Sequence, residues 1–202
     1  MKAVNLRVPL LIFAYAAIFL AAVFCILTLY MENAAMQQDL LEWQQRTHEL
    51  NQELDRINRY SSKYGATPEI TAAVFRESER HNLDPGVMFE LIKLESDFDA
   101  RAISSHDAHG LCQIRPITAR ELSQELNIPY SDELLFNTDY NIMLGSYYLS
   151  KLLHSYGYDY HHALTAYNRG PAGLKKYLNR TGTAVSSYSA RIFEGSLAAV
   201  IQ

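Results

Sequence analysis

The polarity of the chain changes character twice along its length. Residues 8–30, "VPLLIFAYAAIFLAAVFCILTLY", are apolar almost throughout and carry no charge. At 1.5 Å per residue such a helix covers the ~30 Å hydrocarbon core of a bilayer, so the run predicts a transmembrane segment. From residue 32 to about 60 the chain is polar, rich in Gln, Glu, Leu and Arg, and free of Gly and Pro. Met36, Leu40, Trp43, Thr47, Leu50, Leu54, Ile57, Ser61 and Tyr64 alternate there by four and three, an a/d seam weakened at Thr47 and Ser61. This predicts a helical stalk over 31–65. Its stripe either pairs weakly with a second copy, through residues 36–64, or lies on the chain's own globular part.

From residue 66 the pattern becomes that of a compact domain, 66–202, long enough to bury a core. Thr67-Pro68 and Asp84-Pro85 each join an N-cap residue to a first-turn proline, predicting one helix to about His81 and another that carries residue 95. Helical patterns follow at Pro116–Leu126, 139–155, 160–169 (stopped by Gly170-Pro171), 172–179 and 186–200. Residues 99–110, "DARAISSHDAHG", read as a loop or small hairpin, and strand signals are few. The domain is expected to be mostly α.

Charge refines the topology. Lys2 and Arg7 precede the apolar run, and Glu32, Asp39 and Glu42 follow it. The positive-inside rule then leaves the tail, 1–7, in the cytoplasm and exports the rest, with 8–30 as an uncleaved signal anchor in the cytoplasmic membrane. A cleaved signal peptide would need a shorter core and a small-x-small site, and Phe24 before Cys25 argues against a lipoprotein. A net charge of −4 gives no sign of a nucleic-acid partner. The two cysteines, Cys25 and Cys112, cannot make a disulfide framework.

One residue breaks the amphipathic pattern. At 100° per residue, Val87, Met88, Leu91, Ile92, Leu94 and Phe98 fall on one arc, with Glu90, Lys93 and Asp97 opposite. Glu95 sits near the middle of the apolar arc. An apolar setting raises a carboxyl pKa and keeps it protonated near neutrality, as a general acid requires. A carboxylate satisfied inside the core is the competing structural reading.

The surrounding motifs decide between them. "LESDF" is followed in order by "GLCQIRPITA" (110–119), "NIMLG" (141–145) and "AYNRG" around Tyr167. Together they resemble the soluble-type, goose-lysozyme-like lytic transglycosylases, which cleave the bacterial cell-wall glycan, over about residues 67–193. The resemblance implies a mostly helical domain of the lysozyme-like α+β superfamily. It implies Glu95 as the single catalytic acid/base, and substrate contacts from Ser104, Gln113, Tyr167, Asn168 and Tyr188, the last matching the family's late tyrosine. Asn141 is implied as a structural contact. Cys112 stands where the family usually has Met, Asp107 replaces a Gly, and Ala184 and Val185 replace a Glu-Thr pair before Tyr188.

A single carboxylate is chemically sufficient if the sugar supplies the rest. Ordinary glycosidases use two. Here Glu95 would protonate the bridging oxygen of the MurNAc–GlcNAc β-1,4 bond while the substrate's acetamido carbonyl stabilised the oxocarbenium-like centre. The glutamate would then take the proton of the sugar's own 6-hydroxyl, closing a 1,6-anhydro ring. Attack within one ring can reach effective molarities of about 10⁵ M or more. The implied partner is peptidoglycan, with no cofactor. His106 and His109 lack a companion at metal-ligand spacing. A muramidase that admits water, and a wall-binding or assembly protein without turnover, are the rival readings.

Overall fold

The computed structural model describes residues 7–200; the expected cytoplasmic tail lies outside the described residues except for its last position. The chain divides into two units, Met1–Asp55 and Arg56–Gln202. Helix α1 (Arg7–Tyr64) accounts for all that is described of the first. Its early part is long and apolar enough to cross a membrane, with Leu11, Phe13, Phe19, Phe24 and Leu29 among its exposed side chains. Further along, the seam residues Met36, Leu40, Trp43, Leu50 and Leu54 are exposed as well.

The last two turns of α1 belong to the second unit, so the compact part of the chain begins inside the segment read from sequence as stalk. Ile57 is half-buried, Ser61 meets Thr71 hydroxyl to hydroxyl at 2.9 Å, and Tyr64 is buried. Gly65, at φ +68°, ends the helix in the left-handed conformation that glycine adopts without steric cost. Helix α2 (Pro68–His81) then starts on Thr67, whose hydroxyl accepts from the Ile70 amide, and α3 (Pro85–Ser96) on Asp84, which accepts from Gly86.

Helix α3 packs against α2 and α7 (Ser187–Val200). Its burial is wider than one arc. Phe89, outside the expected apolar face, is fully buried in an aromatic cluster with Tyr64 (4.8 Å between ring centres, 13° between planes), Tyr60 and Phe75. Glu90, expected to face solvent, is half-buried and accepts a hydrogen bond from the Tyr64 hydroxyl at 3.0 Å. Leu94 and Phe98 are only partly buried.

After the loop of residues 97–115 come α4 (Pro116–Leu126), a 3-10 turn over Asp132–Phe136, and α5 (Thr138–Ser155). The 3-10 turn has too few residues to show a periodicity. Helix α6 (Tyr160–Thr181) takes the two segments expected at 160–169 and 172–179 through a kink at Gly170 (φ +73°, ψ 160°). Gly170 is non-helical and Pro171 lacks a backbone donor, so two helical segments meet at this kink, as the expected stop at Gly170-Pro171 requires. α5 packs on α2 and α6, and α6 on α7. Among the described residues the only β features are the bridges Ile103–His109 and His109–Ile114, in the expected hairpin.

The aromatic cluster makes a stability prediction. In a soluble piece starting at residue 56, Tyr64→Ala should cost about 3 kcal/mol in urea unfolding, the usual loss for a large buried ring. Leu54→Ala in a longer piece, at an exposed position, should change stability by no more than ~0.5 kcal/mol.

Candidate active site

Glu95 is the penultimate residue of α3, where the helix runs out into the loop. Its place at a helix C-terminus, where carbonyl dipoles disfavour negative charge, is already unfavourable for a carboxylate. Burial raises its pKa above the ordinary carboxylate value, and a hydrogen bond from Tyr188 works in the opposite direction. That bond is short: the Tyr188 hydroxyl lies 2.5 Å from Glu95 Oε1. Tyr188 sits in the first turn of α7, and its own ionisation is pushed well up by burial and by the neighbouring carboxyl.

The next residue, Ser96, turns the helix end into an anchor. Its hydroxyl is 3.2 Å from the Ile92 carbonyl within α3 and 2.8 Å from the Leu111 carbonyl across the loop. Asn141, buried on α5, completes the fixation. It accepts from the Cys112 amide at 2.7 Å and donates to the carbonyls of His109 and Leu135 at 3.0 and 2.7 Å. This is a structural contact, in keeping with the role implied for it. Two glycines permit the close approach. A Cβ on Gly110 would stand 2.2 Å from the Leu135 carbonyl oxygen, and one on Gly145 would stand 2.5 Å from the Cys112 sulfur. Cys112 is fully buried against α5, packing as a small apolar side chain.

Gln113 follows with φ +50°, an uncommon conformation for a non-glycine residue. Its amide nitrogen donates to the carbonyls of Ala102 (3.2 Å) and Gly110 (2.9 Å), which fixes the side chain across the hairpin. The Ser104 hydroxyl accepts from the amides of His106 and Ala108, and so shapes the same turn. Tyr167, on α6, donates to the Cys112 carbonyl at 2.8 Å and is tilted against Tyr148, 5.2 Å between ring centres.

These elements enclose a cavity of about 530 Å³, lined by Glu95, Ser104, Gln113, Tyr167 and Asn168 together with His106, Arg115, Thr118, Tyr148 and Arg169. Five of the six site residues expected from sequence therefore line one cavity. The sixth, Tyr188, reaches it through Glu95. The hydroxyl bonded to the glutamate is that of Tyr188, whereas the Tyr167 hydroxyl and the Gln113 amide bond to main-chain carbonyls of the loop. Glu95 is the one carboxylate among the described lining residues. Sequence reasoning overlooked Ser96, although it stands next to Glu95 in the motif, and it assigned no role to Arg115, Thr118 or Arg169. No periodicity could have pointed to these.

A solved structure of an inactive mutant of the lytic transglycosylase Slt from Pseudomonas aeruginosa superposes with a TM-score of 0.58 at 28% identity, covering 63% of this chain and 23% of that one. The 70 kDa soluble lytic transglycosylase of Escherichia coli gives 0.52 at 24% identity, covering 62% and 20%, and shares the fold. A Haemophilus influenzae protein described as a soluble lytic murein transglycosylase is 32% identical over 100 residues, 49% of this chain and 17% of the relative. The chain thus spans about a fifth of the length of these relatives. The profile of the family described as Transglycosylase SLT domain matches residues 72–189, from α2 to the first turn of α7, and the chain belongs to that family.

Proposed function

We propose that this protein is a membrane-anchored lytic transglycosylase that cleaves the MurNAc–GlcNAc β-1,4 bond of peptidoglycan and leaves 1,6-anhydromuramoyl ends. The observation that carries this reading is the half-buried Glu95, raised in pKa and standing as the one carboxylate on the described wall of a sugar-sized cavity. A glycosidase of the two-carboxylate kind needs a second acid about 5 to 9 Å away. With one, the same group acts first as acid on the bridging oxygen and then, ionised, as base on the sugar's 6-hydroxyl. Tyr188 supports both stages. Its hydroxyl orients the carboxyl, and its hydrogen bond stabilises the carboxylate formed midway. That Gln113, Ser104 and Asn168 line the cavity supports contacts from them to the sugar's acetamido and hydroxyl groups, with Tyr148 and Tyr167 adding aromatic surface.

Glu95→Gln should fold normally and reduce turnover on purified cell wall at least ~10²-fold, as lost general acid catalysis does. Mass spectrometry of wild-type products should show anhydro ends, one water lighter than reducing ends. Reducing ends alone would mean a muramidase. The substitution also has a stability sign. Because the folded pKa of Glu95 exceeds its unfolded value, folding favours the proton, and stability falls as pH rises through that interval. Glu95→Gln should therefore be more stable than wild type above it, and the advantage should fade at acid pH in thermal melts.

Tyr188→Phe removes the bond that opposes the pKa rise. The alkaline limb of the pH–rate profile, which reports loss of the proton from Glu95, should move to higher pH while the maximal rate falls. An unmoved limb would leave Tyr188 without a role in tuning the acid.

The apolar run and its flanking charges support a cytoplasmic N-terminus with the catalytic unit outside the cytoplasmic membrane. Protease added to the outer face of that membrane should remove the domain and leave a short membrane-held stub. The exposed seam from Met36 to Leu54, shortened because Tyr64 is committed to the domain, would support at most weak self-association. Sedimentation of the chain in detergent reads this directly.

A further inference from the structure

We propose that Arg115 and Arg169 form an anion-reading pair in the cavity, recognising carboxylates on the lactyl arm of the muramyl sugar. This deepens, and rests on, the peptidoglycan reading above. Both arginines line the cavity that holds Glu95, from different elements. Arg115 occupies the N-cap position of α4 but makes no side-chain capping bond, and Arg169 is the last residue before the Gly170 kink in α6. Among the described residues neither is ion-paired with a carboxylate. The Arg169 guanidinium lies over the Tyr177 ring, 4.8 Å from its centre. That contact is with a neutral ring, so the charge of Arg169 is not neutralised by it, and a guanidinium can still take a carboxylate in bidentate fashion.

The charge on this cavity has no use within the reaction. When Glu95 holds its proton, the wall carries two fixed positive charges in a chain whose net charge is −4. An oxocarbenium-like centre gains nothing from nearby cations. Nor do the arginines act on the acid, whose environment is set by burial and by Tyr188. The sugar rings are neutral, and the carboxylates of the substrate hang from the lactyl arm, either along an attached peptide stem or as the free acid once the peptide is removed. Exposed arginines on a cleft wall attract such groups over several ångströms, more strongly than on open surface, because the low-dielectric walls focus the field.

The test uses the full chain in detergent, its Arg115→Gln/Arg169→Gln double variant, and Lys176→Gln as a control for the same kind of charge loss on the exposed side of α6. Binding is measured by calorimetry for three ligands: peptide-bearing glycan, the same glycan stripped by an amidase, and a neutral N-acetylglucosamine oligomer. Turnover is measured on the first two. The double variant should bind carboxylate-bearing glycan roughly 10- to 100-fold more weakly, as expected for lost charge-assisted bonds, with a far smaller change for the neutral oligomer. Its loss in turnover should fall on KM rather than kcat. Wild-type affinity should weaken with added salt only for the charged ligands. A larger loss on peptide-bearing glycan assigns the stem carboxylates, and a larger loss on stripped glycan assigns the lactyl acid. Equal losses on all three ligands, or the same loss in Lys176→Gln, would overturn the proposal. Carboxylate-selective binding without turnover would uphold it while sinking the enzymatic reading.

Discussion

The structure depends on keeping a carboxyl group half-buried at the end of a helix. Burial and the adverse dipole both oppose ionisation of Glu95, so its position must be stabilised by contacts elsewhere. The contacts come from opposite directions. At the start and middle of α3, Phe89 is clasped by Tyr60, Tyr64 and Phe75, and Glu90 is bound to Tyr64. At the far end, Ser96 binds the 110–113 loop and Tyr188 binds Glu95 itself. A helix fixed at both ends cannot swing its terminal carboxyl into water.

The loop opposite is held with similar redundancy, and by backbone groups more than by side-chain packing. Asn141 satisfies two of the loop's main-chain groups and one of the 3-10 turn's, Tyr167 a third loop group, and Ser96 a fourth. Gln113 can then keep a strained left-handed conformation and face the cavity. Such strain persists where the surroundings over-determine the geometry, as in sites whose groups must be in place before substrate arrives.

The last turns of α1 give the compact unit a boundary that composition hides. Residues 56–64 look like the rest of the polar helix, yet Tyr60 and Tyr64 are part of the aromatic cluster that secures α3. Any severing of the stalk at Gly65 removes a wall of the core. A shared helix therefore makes the compact unit's stability depend on residues that heptad spacing alone would assign to a partner.

The sequence by itself determined the elements and the out-of-place carboxylate. N-caps at Thr67 and Asp84, first-turn prolines and helical periodicity are local, so the starts of α2 and α3 and the whole of α4 were legible from neighbouring residues. Glu95 stood out because a charge on an apolar arc violates a local rule. Only the tertiary structure decided what meets that charge. Tyr188 lies 93 positions from Glu95 and donates the short bond, whereas Tyr167, which the motif brought forward, is spent on the Cys112 carbonyl. Arg115 and Arg169, from α4 and α6, came to line the same cavity as Glu95. Phe89, outside the expected apolar arc, is enclosed, and Glu90, on the face that periodicity gave to solvent, is half-buried, because α3 is covered from more than one side. Periodicity records one apolar face per helix; which other faces are covered, and which distant hydroxyl reaches a carboxyl, are set by contacts between segments that no local spacing encodes.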